Sequence, residues 1–212
     1  GSGSYGGGVL VSTSALGLSN CVVKGNRAYY YAGMAAVGVT GIWNTLICQN
    51  VSTGDWNYGS GINIAGAAGR PTQLMNCTIT SNYPGHGLCI NDAAYPFSVT
   101  NCIIAHNGNT GTSDLKFFGT VYTTNMFHYC CCPTTVLPAD QGNIPNPPAF
   151  ADFAAGNYRL ARESPCINAG TNQAWMAGTV DLDGHSRVDR FAQRVDMGAF
   201  EDTLPGILFE AR

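Results

Sequence analysis

The chain has 212 residues, of which 45% are apolar and 11% charged, with a formal net charge of -3. That charged fraction is less than half the usual ~25%; with no basic block and no acidic tail it excludes a disordered polyelectrolyte and a nucleic-acid surface. The 27 glycines follow no three-residue period, which excludes collagen, and no run of about 18 apolar residues exists to span a membrane as a helix.

The opening, GSGSYGGG, leads straight into strand-like sequence at Gly8 with no amphipathic helix before it. That predicts a further element or further coils covering the first one. Short strands then recur in pairs. The first of each pair begins at a glycine: GVLV at Gly8, GMAAV at Gly33, GINI at Gly61 and GLCI at Gly87. The second ends in an asparagine: NCVVKGN to Asn26, NTLICQN to Asn50, NCTITSN to Asn82 and NCIIAHN to Asn107. Within the second strand, period two places Cys21 with Val23, Thr45 with Ile47, Cys77 with Ile79 and Cys102 with Ile104 on one face. Thr78 and Thr80 fall on the other.

The Asn-to-Asn steps are about 24, 32 and 25 residues, and no unit holds a helical stretch with a 3.6-residue period. Two or three short strands in about 25 residues fit one coil of a parallel β-helix, stacked so that like positions lie above like. The terminal asparagines Asn26, Asn50, Asn82 and Asn107 then form a structural ladder, tolerating left-handed backbone at a sharp turn and bonding amide to amide. The repeated glycines are expected where the backbone turns tightly. DLKFFG and TVYTTNMFHY continue the pattern as a fifth coil.

Near residue 140 the composition changes. PADQGNIPNPPAF is an irregular connection, and most of the acids lie from Asp152 onward. The expected organisation is β-helix coils over 1–135 and an irregular connection with a C-terminal cap over 136–212. SDLKFF, HYCCC, GNIPNPPAF, GNYRLARESPCINAG, DLDGHSRVDR and VDMGAFE follow one another in order. This series resembles the C-terminal end of secreted bacterial right-handed parallel β-helix proteins of the pectate-lyase-like superfamily. NPPAF departs from the pattern in having Pro147 where an Asp is usual. The resemblance implies an all-β, single-stranded, right-handed parallel β-helix of about five coils with an irregular C-terminal cap, in a secreted or cell-surface protein. It implies no single activity, because that superfamily holds lyases, hydrolases and adhesin-like proteins. In the cap, Leu160, Ile167, Val195, Met197 and Phe200 are expected to plug the open end of the helix, with Asp181, Asp183, Arg187 and Asp196 as hydrogen bonds and ion pairs.

Chemistry is thin along the coils. A lyase needs a base and a cation or arginine to hold a uronate, and a hydrolase needs paired carboxylates. The coils offer only Asp55, Asp92 and Asp114 as acids. The best polar group for an enzyme is Lys116 with Asp114, Asp92 and His128, although Lys116 alternates with Leu115 and Phe117 as an outward residue should. His86 and His106 stand beside turns in successive coils and are expected at the surface. No zinc motif is present; DLDGHSRVD superficially resembles a calcium loop without the full spacing, so no cofactor is expected and Ca²⁺ is the cation considered there. Cys130, Cys131 and Cys132 are adjacent and cannot all face one core; with Cys166 they are candidates for a cap disulfide or for facing a metal.

Aromatics gather in the turns. Trp56, Tyr58, Tyr30, Tyr83 and Tyr95 are candidate carbohydrate-binding residues, since aromatic rings beside Asn, Ser and Thr suit the apolar faces and hydroxyls of sugars. The sequence reading is therefore a non-catalytic extracellular domain, adhesin-like or carbohydrate-binding, within a larger surface protein. Its expected partners are an extracellular polysaccharide or further β-helix coils of the same protein. A polysaccharide lyase or glycoside hydrolase is the alternative.

Overall fold

The structure is a computed structural model that describes residues 6–12, 16–38, 41–54, 58–65, 71–91, 96–109, 114–118 and 124–202. The first turn of chain contributes β1 (Val9–Val11), β2 (Gly17–Ser19) and β3 (Val22–Lys24), followed by the short β4 (Arg27–Ala28). The second repeats this with β5 (Met34–Val37), β6 (Gly41–Trp43), β7 (Leu46–Cys48) and β8 (Val51–Ser52). The third holds β9 (Ile62–Ala65), β10 (Thr72–Met75) and β11 (Thr78–Thr80), and the fourth β12 (Leu88–Asn91), β13 (Phe97–Thr100) and β14 (Ile103–Ala105). β15 (Leu115–Phe118), β16 (Phe127–His128) and a bridge between Ile103 and Cys131 begin a fifth rung. The result is an all-β parallel solenoid of about four turns; the fifth coil expected from sequence is only partial.

Three parallel sheets enclose one bore: β1-β5-β9-β12-β15, β2-β6-β10-β13-β16 and β3-β7-β11-β14. Register is strict. Met34 lies over Ile62, Leu88 and Leu115 in the first sheet, Ile42 over Leu74, Val99 and Phe127 in the second, and Val23 over Ile47, Ile79 and Ile104 in the third. These side chains form one core cluster. Each fully buried aliphatic residue contributes about 1.5–3 kcal/mol relative to exposure, and a one-residue slip would turn the whole column outward.

The two asparagines of each motif do different jobs. Asn20, Asn44, Asn76 and Asn101, at the start, sit at φ between 48° and 53°, the left-handed corner between the second and third sheets. Asn26, Asn50, Asn82 and Asn107, at the end, do not; the left-handed residue there is the one before, Gly25, Gln49, Ser81 and His106. The end asparagines form the ladder itself. Asn26 Nδ2 donates to Asn50 Oδ1 at 3.0 Å, Asn50 Nδ2 to Asn82 Oδ1 at 2.8 Å, and Asn82 Nδ2 to Asn107 Oδ1 at 2.9 Å. Each acceptor oxygen also takes the backbone N–H of the preceding rung's asparagine. The glycines opening the first-sheet strands make room for this ladder rather than a turn: a Cβ on Gly87 would lie 2.4 Å from Asn107 Nδ2, and one on Gly33 2.8 Å from Asn50 Nδ2.

The residue after each of the left-handed corners Asn44, Asn76, Asn101 and Tyr129 is buried and donates to the carbonyl two residues back. Thr45 Oγ1 reaches Trp43 O at 2.7 Å, Cys77 Sγ reaches Met75 O at 3.3 Å, Cys102 Sγ reaches Thr100 O at 3.3 Å and Cys130 Sγ reaches His128 O at 3.3 Å. Thr and Cys are interchangeable here because both are small donors that satisfy a corner carbonyl without filling the bore.

The C-terminal region does not plug the end of the solenoid. Leu160, Ile167 and Met197 pack with Ile103, Ala105 and Cys131, and Phe200 packs with Leu46 and Cys48, all on the outer face of the third sheet. None of them belongs to the bore cluster, which Leu137 and Met126 approach instead. Thr78 and Thr80, on the face opposite the bore, are therefore buried. A hairpin of β17 (Phe150–Asp152) and β18 (Asn157–Leu160) forms part of this flank cover. The corner asparagines fasten it: Asn44 Nδ2 donates to Val180 O at 2.6 Å, Asn76 Nδ2 to Asp196 O at 3.2 Å, and Asn101 Nδ2 to Thr171 O at 2.9 Å.

Candidate functional site

The outer face of the first sheet carries two columns. Ala35, Asn63, Cys89 and Lys116 are in register in one, and Val37, Ala65, Asn91 and Phe118 in the other. Period two explains the placement: Leu115 and Phe117 turn to the bore, so Lys116 and Phe118 turn out. The chain leaving the ladder corner brings Tyr29, Tyr30 and Tyr31 to this face, and Tyr58 lies over it against Phe118. The Tyr29 and Tyr30 ring centroids are 4.6 Å apart, Tyr30 and Tyr58 4.7 Å, and Tyr58 and Phe118 5.7 Å with planes within 17° of parallel. Tyr31 is buried against Ala35 and Cys89.

Polar groups lie beside these rings. Asn91 Nδ2 donates to Asn63 Oδ1 at 2.9 Å and to the Tyr31 hydroxyl at 3.4 Å. Lys116 Nζ stands 5.9 Å from the Phe118 ring centroid. Burial pushes the Cys89 thiol up, against the pull of the Lys116 charge, so Cys89 is a packed thiol and not a nucleophile. Tyr29 and Tyr58 remain 42% and 38% exposed, enough ring to meet a ligand while the rest is held in place.

Of the candidates read from sequence, the fold brings Tyr30 and Tyr58 together. Tyr83 lies elsewhere, bridged to Val51 in the corner column and 54% exposed, with no ring contact among the described residues. Trp56, Tyr95 and Asp92 lie outside the described residues. Phe118, Asn63 and Asn91 were missed, although the alternation that sends Lys116 outward also assigns Phe118 to the same face.

The acid–base candidates are dispersed. Asp114 is buried and ends the asparagine ladder. Its Oδ1 accepts from Asn107 N at 2.7 Å and Asn107 Nδ2 at 2.8 Å, and its Oδ2 from Thr134 Oγ1 at 2.7 Å. Lys116 is on the first sheet and His128 on the second. His106 is exposed at its corner and its ring lies 4.9 Å from Phe153 of the hairpin. His86, expected at the surface, is buried, because the segment before Ile62 folds back on it and Ser60 N donates to its carbonyl at 2.8 Å.

Two other features lie away from this face. An open hollow at the end of the stack is lined by Pro133, Thr134, Val136, Leu137 and Ile144 and holds no titratable side chain. In the calcium-like loop, the donor atoms of Asp181, Asp183 and His185 lie within 4.8 Å of one another. Asp181 Oδ1, however, accepts the N–H groups of Asp183 and His185, Oδ2 accepts that of Glu201, and both Asp183 oxygens are held by Arg159 at 2.5 Å. A cation there would compete with a guanidinium already in place. Searches of protein-family models, curated proteins and solved structures find no match to this chain.

Proposed function

We propose that this chain is a non-catalytic extracellular β-helix domain, an adhesin-like or carbohydrate-binding scaffold of a larger surface protein, that holds polysaccharide on the outer face of its first sheet. The observation that carries the reading is the aromatic cluster of exposed Tyr29 and Tyr58 with half-buried Tyr30 and Phe118, beside half-buried Asn91 and Lys116. Aromatic faces stack on the apolar face of a pyranose ring, and amide and ammonium groups meet its hydroxyls. A solenoid presents such groups at the spacing of its rungs, which suits an extended chain. The commitment of Asp114 to the ladder removes the best-placed coil carboxylate from acid–base work and supports the non-catalytic side.

The reading is tested with a panel of neutral and uronate-rich polysaccharides, with and without Ca²⁺, scoring retained complex and new chain ends together. Retention without cleavage is expected, with affinity falling about ten-fold or more in Tyr58→Ala, the equivalent of ~1.4 kcal/mol. A polysaccharide lyase or glycoside hydrolase is favoured by one observation, the amine of Lys116 beside the aromatic cluster. New chain ends that disappear in Lys116→Ala would establish that reading in place of ours.

A further inference from the structure

The nine cysteines sort by direction. Cys77, Cys102 and Cys130 point inward, each thiol donating to a backbone carbonyl, and Cys132 also belongs to the bore cluster. Cys21 donates to Ser19 O at 3.1 Å in the first rung. Cys48 and Cys89 point outward in two separate clusters, one under Phe200 and one under Tyr31. The alternation that turns Cys130 and Cys132 inward turns Cys131 outward, into a third cluster under the flank cover. Cys166 is the cysteine that the cover contributes to that cluster. Both are fully buried in that one cluster, where Cys131 Sγ donates to Asn146 O at 3.2 Å.

We propose that Cys131 and Cys166 are the site of a disulfide that staples the flank cover to the solenoid. Both thiols sit on structure that already fixes them. Cys131 is bridged to Ile103 on one side and to Ile144 on the other, and Cys166 O accepts from Met197 N at 3.0 Å. The bond would close a loop of about 35 residues, including the whole hairpin, long enough for a cross-link to restrict the unfolded chain strongly. The oxidant is a disulfide, either a small molecule such as oxidised glutathione or a thiol–disulfide oxidoreductase. The Cys131 thiolate attacks one donor sulfur, forming a mixed disulfide and releasing a donor thiol. Cys166 then loses its proton and attacks Cys131 Sγ, releasing the second donor thiol. Two electrons have passed to the donor disulfide, and the two protons reside on the released thiols. Because both sulfurs are buried, exchange takes place before the cover docks or when it lifts.

The full chain is oxidised with oxidised glutathione or reduced, denatured, alkylated and mapped by mass spectrometry. The expected result is one protected pair in the oxidised wild-type protein, joining the peptide with Cys130, Cys131 and Cys132 to the peptide with Cys166. Protection should survive in Cys130→Ser and Cys132→Ser and vanish in Cys131→Ser. Reduction should lower the melting temperature of the wild type by on the order of 5–10 °C. Nine alkylated cysteines after oxidation, a glutathione adduct on Cys131 without closure, or a bond between any other pair, such as Cys77 with Cys102, would overturn the proposal.

Discussion

A single ladder asparagine satisfies several buried groups at once. Asn82 Oδ1 takes the N–H and amide of Asn50, while its Nδ2 donates to Asn107 Oδ1, Ile47 O and Thr80 O. Truncation would orphan partners that water cannot reach, and each such loss costs about 1–3 kcal/mol. Asn82→Ala is therefore expected to destabilise the protein by about 3 kcal/mol, read as a lower midpoint in chemical denaturation; a change below about 0.5 kcal/mol would contradict the ladder's energetic role. Asp114 gives a sharper contrast. Asn keeps the oxygen that accepts from Asn107, so Asp114→Asn should stay within about 1 kcal/mol of wild type while Asp114→Ala loses about 2–3 kcal/mol. Neither should alter polysaccharide retention. An Asp114→Asn protein that is as stable as wild type but no longer engages polysaccharide would assign the carboxylate a direct role.

At the scale of elements, the corner asparagines couple the third sheet to its cover. Asn101 is the strongest case: its amide donates to Thr171 O, its Oδ1 accepts Thr171 N at 2.8 Å, and its own carbonyl accepts Gly198 N at 2.7 Å. Substitution also removes a residue suited to the left-handed corner. Asn101→Ala is expected to raise amide hydrogen exchange in the segments around Thr171 and Gly198 before it does so in β5, β9 or β12. Uniform loss of protection over all three sheets would show that the cover and the solenoid open as one unit.

Across the whole molecule, the cover's stability should depend on pH through a buried charge cluster. Arg187 is fully buried, its Nη2 2.9 Å from Glu201 Oε1 and 3.0 Å from Gly198 O, with Asp181 and Asp196 nearby. Burial lowers the Arg187 pKa and outweighs the attraction of the acids. Burial likewise pushes Glu201 up to about 9 against the pull of Arg187, and Asp196 to about 6 against the N–H donors of Asn168 and Asp202. Both carboxyls bind protons more tightly folded than unfolded, where they titrate near 4.5 and 3.8. Stability therefore falls as pH rises through that interval: Asp196 contributes the loss between about 4 and 6, and Glu201 extends it towards 9. A melting temperature that declines from pH 5 to pH 9 in wild type, and declines less in Glu201→Gln, is the expected outcome. A rising profile would mean that the ion pair with Arg187 dominates burial.

The sequence by itself determined the solenoid, its inward columns and the positions of the ladder. Those features repeat at the interval that stacks like on like, so a period in the chain is a neighbour in space. The same alternation placed Lys116 outward and separated the three adjacent cysteines. Only the tertiary structure decided which asparagine of each motif takes the left-handed corner, since both are Asn and differ only in what lies above them. It also sent the cover to the flank rather than the end, through contacts such as Asn44 with Val180 and Asn76 with Asp196, 136 and 120 residues apart. It gathered Tyr30, Tyr58 and Phe118 and left Tyr83 apart. Those contacts occur once, with no period to announce them, and depend on how non-repeating segments fold back over a surface that the repeat has built.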